Sequence, residues 1–131
     1  MVLDSPPFPR WFPGGELNWL DTVFAHAPDR LAVVAETEAG QVTRVAYAAL
    51  QERVGEFAAG LHAMGLRRGD RVGLLLEMGV EAVASLLALS ALGAVAAPLF
   101  SGFGPKAIIA RLRSAGTCAL IATAAFSRRG R

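Results

Sequence analysis

The sequence predicts an α/β protein. It has three layers (α/β/α) and a parallel βαβαβ core, with a hairpin and a long amphipathic helix in front of that core. Three observations carry the prediction. Apolar runs of strand length at Arg71 to Leu76, Val95 to Phe100 and Cys118 to Ala122 alternate with helical stretches at Val80 to Leu92 and Pro105 to Ala115. Such alternation implies parallel strands joined by right-handed crossovers. Tyr47 to Met64 repeats its apolar residues at helical spacing. Hydrophobic residues make up 53% of the 131 residues and charged residues 18%, a balance that excludes an intrinsically disordered chain. The same apolar excess points to a partial domain whose surface expects further chain or a partner.

Taken in order, residues 1–16 read as an irregular segment, punctuated by Pro6, Pro7, Pro9, Pro13, Gly14 and Gly15. Asn18 to His26 predicts a short helix with Leu20, Val23 and Phe24 on one face. Leu31 to Glu36 and Gln41 to Val45 flank Ala39-Gly40 and predict a hairpin. In the helix from Tyr47 to Met64 the apolar stripe is Tyr47, Leu50, Val54, Phe57, Ala58, Leu61 and Met64. Gly65 stands where a left-handed residue ends a helix, and Leu66 then reaches Leu61 in a Schellman arrangement. The start of this helix is poorly specified. Ala46 and Ala49 occupy the two capping-box positions, and a missing N-cap costs about 1 kcal/mol. Arg67-Arg68-Gly69-Asp70 predicts a polar turn. The strands from Arg71 and from Val95 read as buried, as does the helix between them, which Gly93 ends. Ser101 to Gly104 is a loop, Pro105 opens the last helix and Gly116 closes it.

Composition removes several functions. A net charge of +2, from 13 basic and 11 acidic residues, is no nucleic-acid footprint. Nearly all the basic residues are arginine, so a single arginine carries little information. One cysteine, Cys118, excludes an internal disulfide framework and fits a reducing compartment. Among Ala119, Leu120 and Ile121 it reads as a buried small hydrophobe. Met1 to Arg10 holds no apolar run of signal-peptide type, so a cytoplasmic protein is expected. Ala82 to Phe100 runs 19 residues without a charge, long enough to nominate a transmembrane helix. Its alanines, Gly93 and Pro98 fit a buried helix, a glycine stop and a buried strand better, and no membrane is expected as a partner.

The search for chemistry is mostly negative. Neither Gly-x-x-x-x-Gly-Lys nor Gly-x-Gly-x-x-Gly occurs. No cysteine or histidine spacing indicates zinc, and no Gly-x-Ser-x-Gly elbow is present. His62 is expected to face solvent, and Glu77 reads as a strand-end cap. No catalytic residue and no metal ligand is assigned. In a parallel sheet, ligands bind beyond the carboxyl ends of the strands. Here those ends are Glu77-Met78-Gly79, Phe100 to Gly104, and Thr123 onward. Two features remain. Ser101-Gly102-Phe103-Gly104 is a small-residue loop that lets a ligand approach the backbone; read alone, it is a plain turn. Arg128-Arg129-Gly130-Arg131 offers guanidiniums that can grip a phosphate bidentately; read alone, it is a solvated basic tail.

The order of these motifs resembles the N-terminal part of the AMP-forming acyl-CoA synthetases, in the acetyl-CoA synthetase-like branch of the adenylate-forming superfamily. The residues that carry the resemblance begin with Trp11 to Asn18, Val45 to Leu50 and Leu61 to Val72. They continue with Glu81-Ala82-Val83, Leu92 to Val95, Phe100 to Phe103 and Arg128 to Arg131. The resemblance implies an enzyme that activates a carboxylic acid with ATP to an acyl-adenylate and transfers the acyl group to coenzyme A. In that family Mg²⁺ and a Gly-rich loop hold the phosphates, and a lysine from a mobile C-terminal domain steadies the first step. It also implies Phe100, Ser101 and Gly102 near the adenine of coenzyme A, and Arg128 and Arg131 near its phosphates.

Several positions depart from the family's pattern. Ala46 stands for Thr or Ser, Ala49 for Glu, Val80 for Pro and Ser101 for Gly. Thr123 to Phe126 replace Ala-Asp-Gly. The Pro-Lys-Gly phosphate loop, the acidic motif serving ATP and metal, the hinge and the catalytic lysine have no counterpart, and Lys106 matches none of them. The expectation is a fragment: residues 17–131 form the N-terminal part of the AMP-binding domain, truncated before the ATP phosphate loop. ATP and Mg²⁺ then belong to the full-length parent. Two alternatives stand beside it. One is a stand-alone module with a residual coenzyme A nucleotide site. The other is a degenerate structural product that self-associates through an exposed sheet edge.

Overall fold

The structure, a computed structural model, describes residues 11–124. In chain order the elements are α1 (Trp19–Val23), β1 (Leu31–Glu36), β2 (Val42–Ala46), α2 (Tyr47–Ala63) and β3 (Arg71–Leu75), followed by α3 (Val80–Ala91), β4 (Val95–Pro98), α4 (Pro105–Ala115) and β5 (Ala119–Ala122). The α/β class and the parallel core agree with the sequence reading. β1 and β2 pair antiparallel, and the second sheet has the order β4-β3-β5 with both pairings parallel.

The hairpin turns on Gly40, whose φ of 77° suits glycine. The Thr37 N–H donates to the Gln41 carbonyl at 3.0 Å across it. α1 is shorter than predicted. The Asn18 side chain caps it by accepting from the Leu20 N–H, but Pro28 follows closely and disfavours helical backbone just before it. α2 starts without a side-chain cap at Ala46. Backbone supplies the missing acceptors: the Tyr47 and Ala48 N–H groups donate to the carbonyls of Arg30 and Pro28 at 3.0 and 2.9 Å. At its other end Gly65 adopts φ 101°. The Gly65 and Leu66 N–H groups donate to the His62 and Leu61 carbonyls, which is the Schellman pair expected from the sequence.

α3 is the centre of the molecule. On one side Ala84, Leu87 and Ala88 meet Leu50 and Val54 of α2, with hairpin and α1 residues around them. On the other side Leu89 meets Val72 and Leu74 of β3. Side chains alternate along a strand, so Gly73 faces the opposite way, and there Leu112 of α4 lies against it. A Cβ on Gly73 would stand 2.5 Å from a Leu112 methyl. The sheet therefore has α3 on one face and α4 on the other.

Four expectations need correction. Among the described residues only β3 is a buried strand; β4 and β5 pair there on one side each, and Val95 and Leu120 are exposed. β4 ends at Pro98, an edge position where the missing N–H costs nothing, so Phe100 belongs to the loop. Met64 is 80% exposed, because it lies past the last helical turn, where the stripe no longer points at α3. Cys118 is exposed too. It shares Leu120's face by strand alternation, and α4, with no buried residue, covers that face thinly. Among the described residues no helix is long and apolar enough to cross a membrane; the uncharged stretch divides into α3, a left-handed Gly93 and β4.

Candidate functional site

The chain runs from β3 outward to β4, then back across β3 to β5. That reversal sends α3 and α4 to opposite faces of the sheet. The loops after β3 and β4 therefore diverge, and the carboxyl ends of these two strands form a topological switch point, the place where open α/β sheets bind ligands. Glu77-Met78-Gly79 forms one lip and Phe100 to Gly104 the other. The end of β5 is tied to the first lip. The Thr123 N–H donates to the Leu75 carbonyl at 3.0 Å, and the Glu77 N–H donates to Thr123 Oγ1 at 3.1 Å.

The second lip has a defined shape. The Leu99 N–H still donates to the Leu74 carbonyl at 2.8 Å, one residue beyond β4. The chain then turns, and the Phe103 N–H donates to the Phe100 carbonyl at 3.0 Å. Phe100 is 56% exposed, and Ser101 and Gly102 are exposed beside it. The Phe103 ring meets Phe100 edge-on, with centroids 5.5 Å apart and planes at 87°, the arrangement that aromatic quadrupoles favour. Arg111 reaches back from α4 so that its guanidinium carbon lies 4.0 Å from the Phe103 ring centroid. With Lys106 and Arg113 it makes α4 wholly basic among its charged residues. An exposed aromatic edge, a small-residue turn and adjacent cations suit a nucleotide: a base has a face to stack and phosphates have charge to meet.

The sequence-predicted residues divide accordingly. Phe100, Ser101 and Gly102 stand together on this lip. Arg128 and Arg131 lie outside the described residues. The two histidines are elsewhere: His26 packs at 4.8 Å against the Tyr47 ring, and His62, exposed as expected, sits at the end of α2 near Arg67. No group of three or more metal-ligating side chains converges among the described residues. An open groove of about 520 Å³ runs between α1 and α2, past Asn18, Asp21 and Gln51. It lacks both strand-end geometry and converging charge, so the strand ends are the stronger site. Sequence reasoning missed Arg111. Its signal was present, since a helix side chain tilts toward the N-terminus and this helix opens directly after Phe103, but one arginine among many did not stand out.

Comparison with known proteins now decides the family. Residues 20–130 match the family described as AMP-binding enzyme. The chain belongs to that family. Among its AMP-binding relatives, the acetyl-coenzyme A synthetase of Nitrosomonas europaea is 39% identical over 131 residues, covering 97% of this chain and 20% of that protein. The acetyl-coenzyme A synthetase of Cupriavidus necator is 42% identical over 127 residues, covering 92% and 19%. The chain thus spans about one fifth of the length of these relatives. Among solved structures, the N-terminal subdomain of Klebsiella oxytoca NpsA superposes with a TM-score of 0.72 at 30% identity, over 82% of this chain and 27% of that one. A Brucella canis acyl-CoA synthetase gives 0.70 at 30% identity, over 73% and 18%. The fold of this AMP-binding family member is therefore that of about a quarter of such an N-terminal subdomain.

Proposed function

We propose that residues 17–131 are the N-terminal part of the AMP-binding domain of an AMP-forming acyl-CoA synthetase. We also propose that their share of the reaction is to hold the nucleotide end of coenzyme A. The whole enzyme would convert a carboxylic acid and ATP, with Mg²⁺, to an acyl-adenylate and pyrophosphate, then pass the acyl group to the coenzyme A thiol. A cytoplasmic location goes with this reading. The observation that carries it is the Phe100-Ser101-Gly102 turn: an exposed ring on a small-residue loop at a parallel strand's carboxyl end. The 39% and 42% identity to acetyl-coenzyme A synthetases supports the choice of ligand.

Coenzyme A, when bound, supplies an adenine face and phosphate anions. Phe100 stacks the base, Ser101 and Gly102 let the backbone come close to it, and Arg128 and Arg131 pair with phosphate oxygens. Calorimetry on the purified chain tests this. Coenzyme A is expected to bind more tightly than 3′-dephospho-coenzyme A, and Arg128→Ala to remove the difference. Phe100→Ala is expected to weaken both, by about 5- to 150-fold if a stacked base contributes ~1–3 kcal/mol. Equal binding of the two ligands by the unaltered chain, or no binding, refutes the proposal. With ATP, Mg²⁺, acetate and coenzyme A supplied, the chain alone is expected to release no pyrophosphate above background.

A further inference from the structure

We infer that Arg111 is a positioning residue of the nucleotide site, holding the Phe103–Phe100 ring pair in the orientation that receives an adenine; this rests on the function proposed above. Arg111 lies on α4, and its Nη1 donates to the Ala107 carbonyl one turn earlier at 3.3 Å. That bond draws the side chain back along the helix toward the loop. The guanidinium then covers the Phe103 ring at 4.0 Å, a cation–π contact. Among the described residues it forms no ion pair that would compete for this position. Phe103 in turn meets Phe100 edge-on at 5.5 Å. With one face of Phe103 held by a planar cation, the ring has less freedom to rotate, and the Phe100 ring set perpendicular to it loses freedom with it. A loop of small residues cannot supply that stiffness itself, because Ser101 and Gly102 contribute little side chain to pack. Stiffening the ring pair before the ligand arrives reduces the ordering cost of binding.

The test uses the full 131-residue chain and two probes, coenzyme A and adenosine. Adenosine carries the base without phosphate. Arg111→Met is expected to weaken both by the same factor, about two- to five-fold, the range of an exposed cation–π contact. In a Phe103→Leu background the same substitution is expected to add nothing, because Arg111 acts through the ring. The aromatic proton resonances of Phe100 and Phe103 are expected to shift in Arg111→Met without ligand, while the core resonances of Leu89 and Val72 stay in place. Arg111 is exposed, so the fold is expected to survive; Arg111→Gln replaces Arg111→Met if it does not. A loss confined to coenzyme A would mean direct phosphate contact and overturn the positioning role. So would unchanged affinity in Arg111→Met, additive effects with Phe103→Leu, or binding of coenzyme A without adenosine. No binding of either probe by the unaltered chain would instead overturn the proposed function, and this role with it.

Discussion

Replacing Gly65 by alanine isolates the backbone cost of ending α2. Gly65 has φ 101°, and nothing lies within 4 Å of a Cβ built there. The substitution therefore neither clashes nor packs; it only asks an L-residue to hold a left-handed backbone. That region costs a non-glycine residue about 1–2 kcal/mol. A φ of 101° lies beyond the narrow left-handed well, which sets the expectation at the upper end, about 2 kcal/mol. The chain cannot escape cheaply by relaxing. The Gly65 and Leu66 N–H groups hold the His62 and Leu61 carbonyls at 3.0 and 3.1 Å, and each bond contributes about 1 kcal/mol net. Gly60 is the control. It lies inside α2, in its last turn, is exposed, and also has open space around its Cβ position. There alanine is expected to stabilise by about 0.5–1 kcal/mol, because glycine costs that much inside a helix. Urea unfolding followed by circular dichroism reads both variants against the unaltered chain, with unchanged slope. Opposite signs from the same substitution five residues apart are the expected result. Gly65→Ala no less stable than the unaltered chain would refute the reasoning.

Three further outcomes follow from burial. Ser85 is fully buried in α3 and its hydroxyl has no hydrogen-bond partner among the described residues, so Ser85→Ala is expected to raise stability by about 1 kcal/mol in the same urea assay. Leu89, at 0% exposure between α3 and β3, is expected to lose about 2–5 kcal/mol on Leu89→Ala, whereas Ile109→Ala, at a 48% exposed position of α4, stays within about 0.5 kcal/mol. Cys118, being exposed, is expected to react completely with a chromogenic disulfide reagent in the absence of denaturant; a thiol that reacts only after unfolding would contradict the thin cover that α4 gives this face.

The candidate site was legible in part, and the division has a physical cause. Phe100, Ser101 and Gly102 could be singled out because strand, loop and helix are signalled locally, by an apolar run, small residues and Pro105. The switch point itself could not be read that way. It depends on β5 returning to the far side of β3, which is a long-range choice. Thr123 enters through a contact across that arrangement, accepting from the Glu77 N–H, and nothing in the residues immediately around it signals that bond. Arg111 reaches back over Phe103 within one loop–helix segment, and its local signal was lost among many arginines.

The amino-acid sequence by itself determined the order and kind of the elements. The stripe from Tyr47 to Leu61, the left-handed glycines at 65, 93 and 116 and the Ala39-Gly40 turn are all short-range facts of backbone geometry and periodicity. It also determined the family, through motifs whose order survives in a single chain. Only the tertiary structure decided which surfaces of those elements meet. It put β3 alone in the middle of the sheet, enclosed α3 between α2 and β3, and left Cys118, Leu120 and Val95 exposed. The reason is that an apolar run reports how much surface a segment can bury. Whether a neighbour arrives to bury it depends on strand order and helix placement, and those are settled by contacts between residues far apart in the chain.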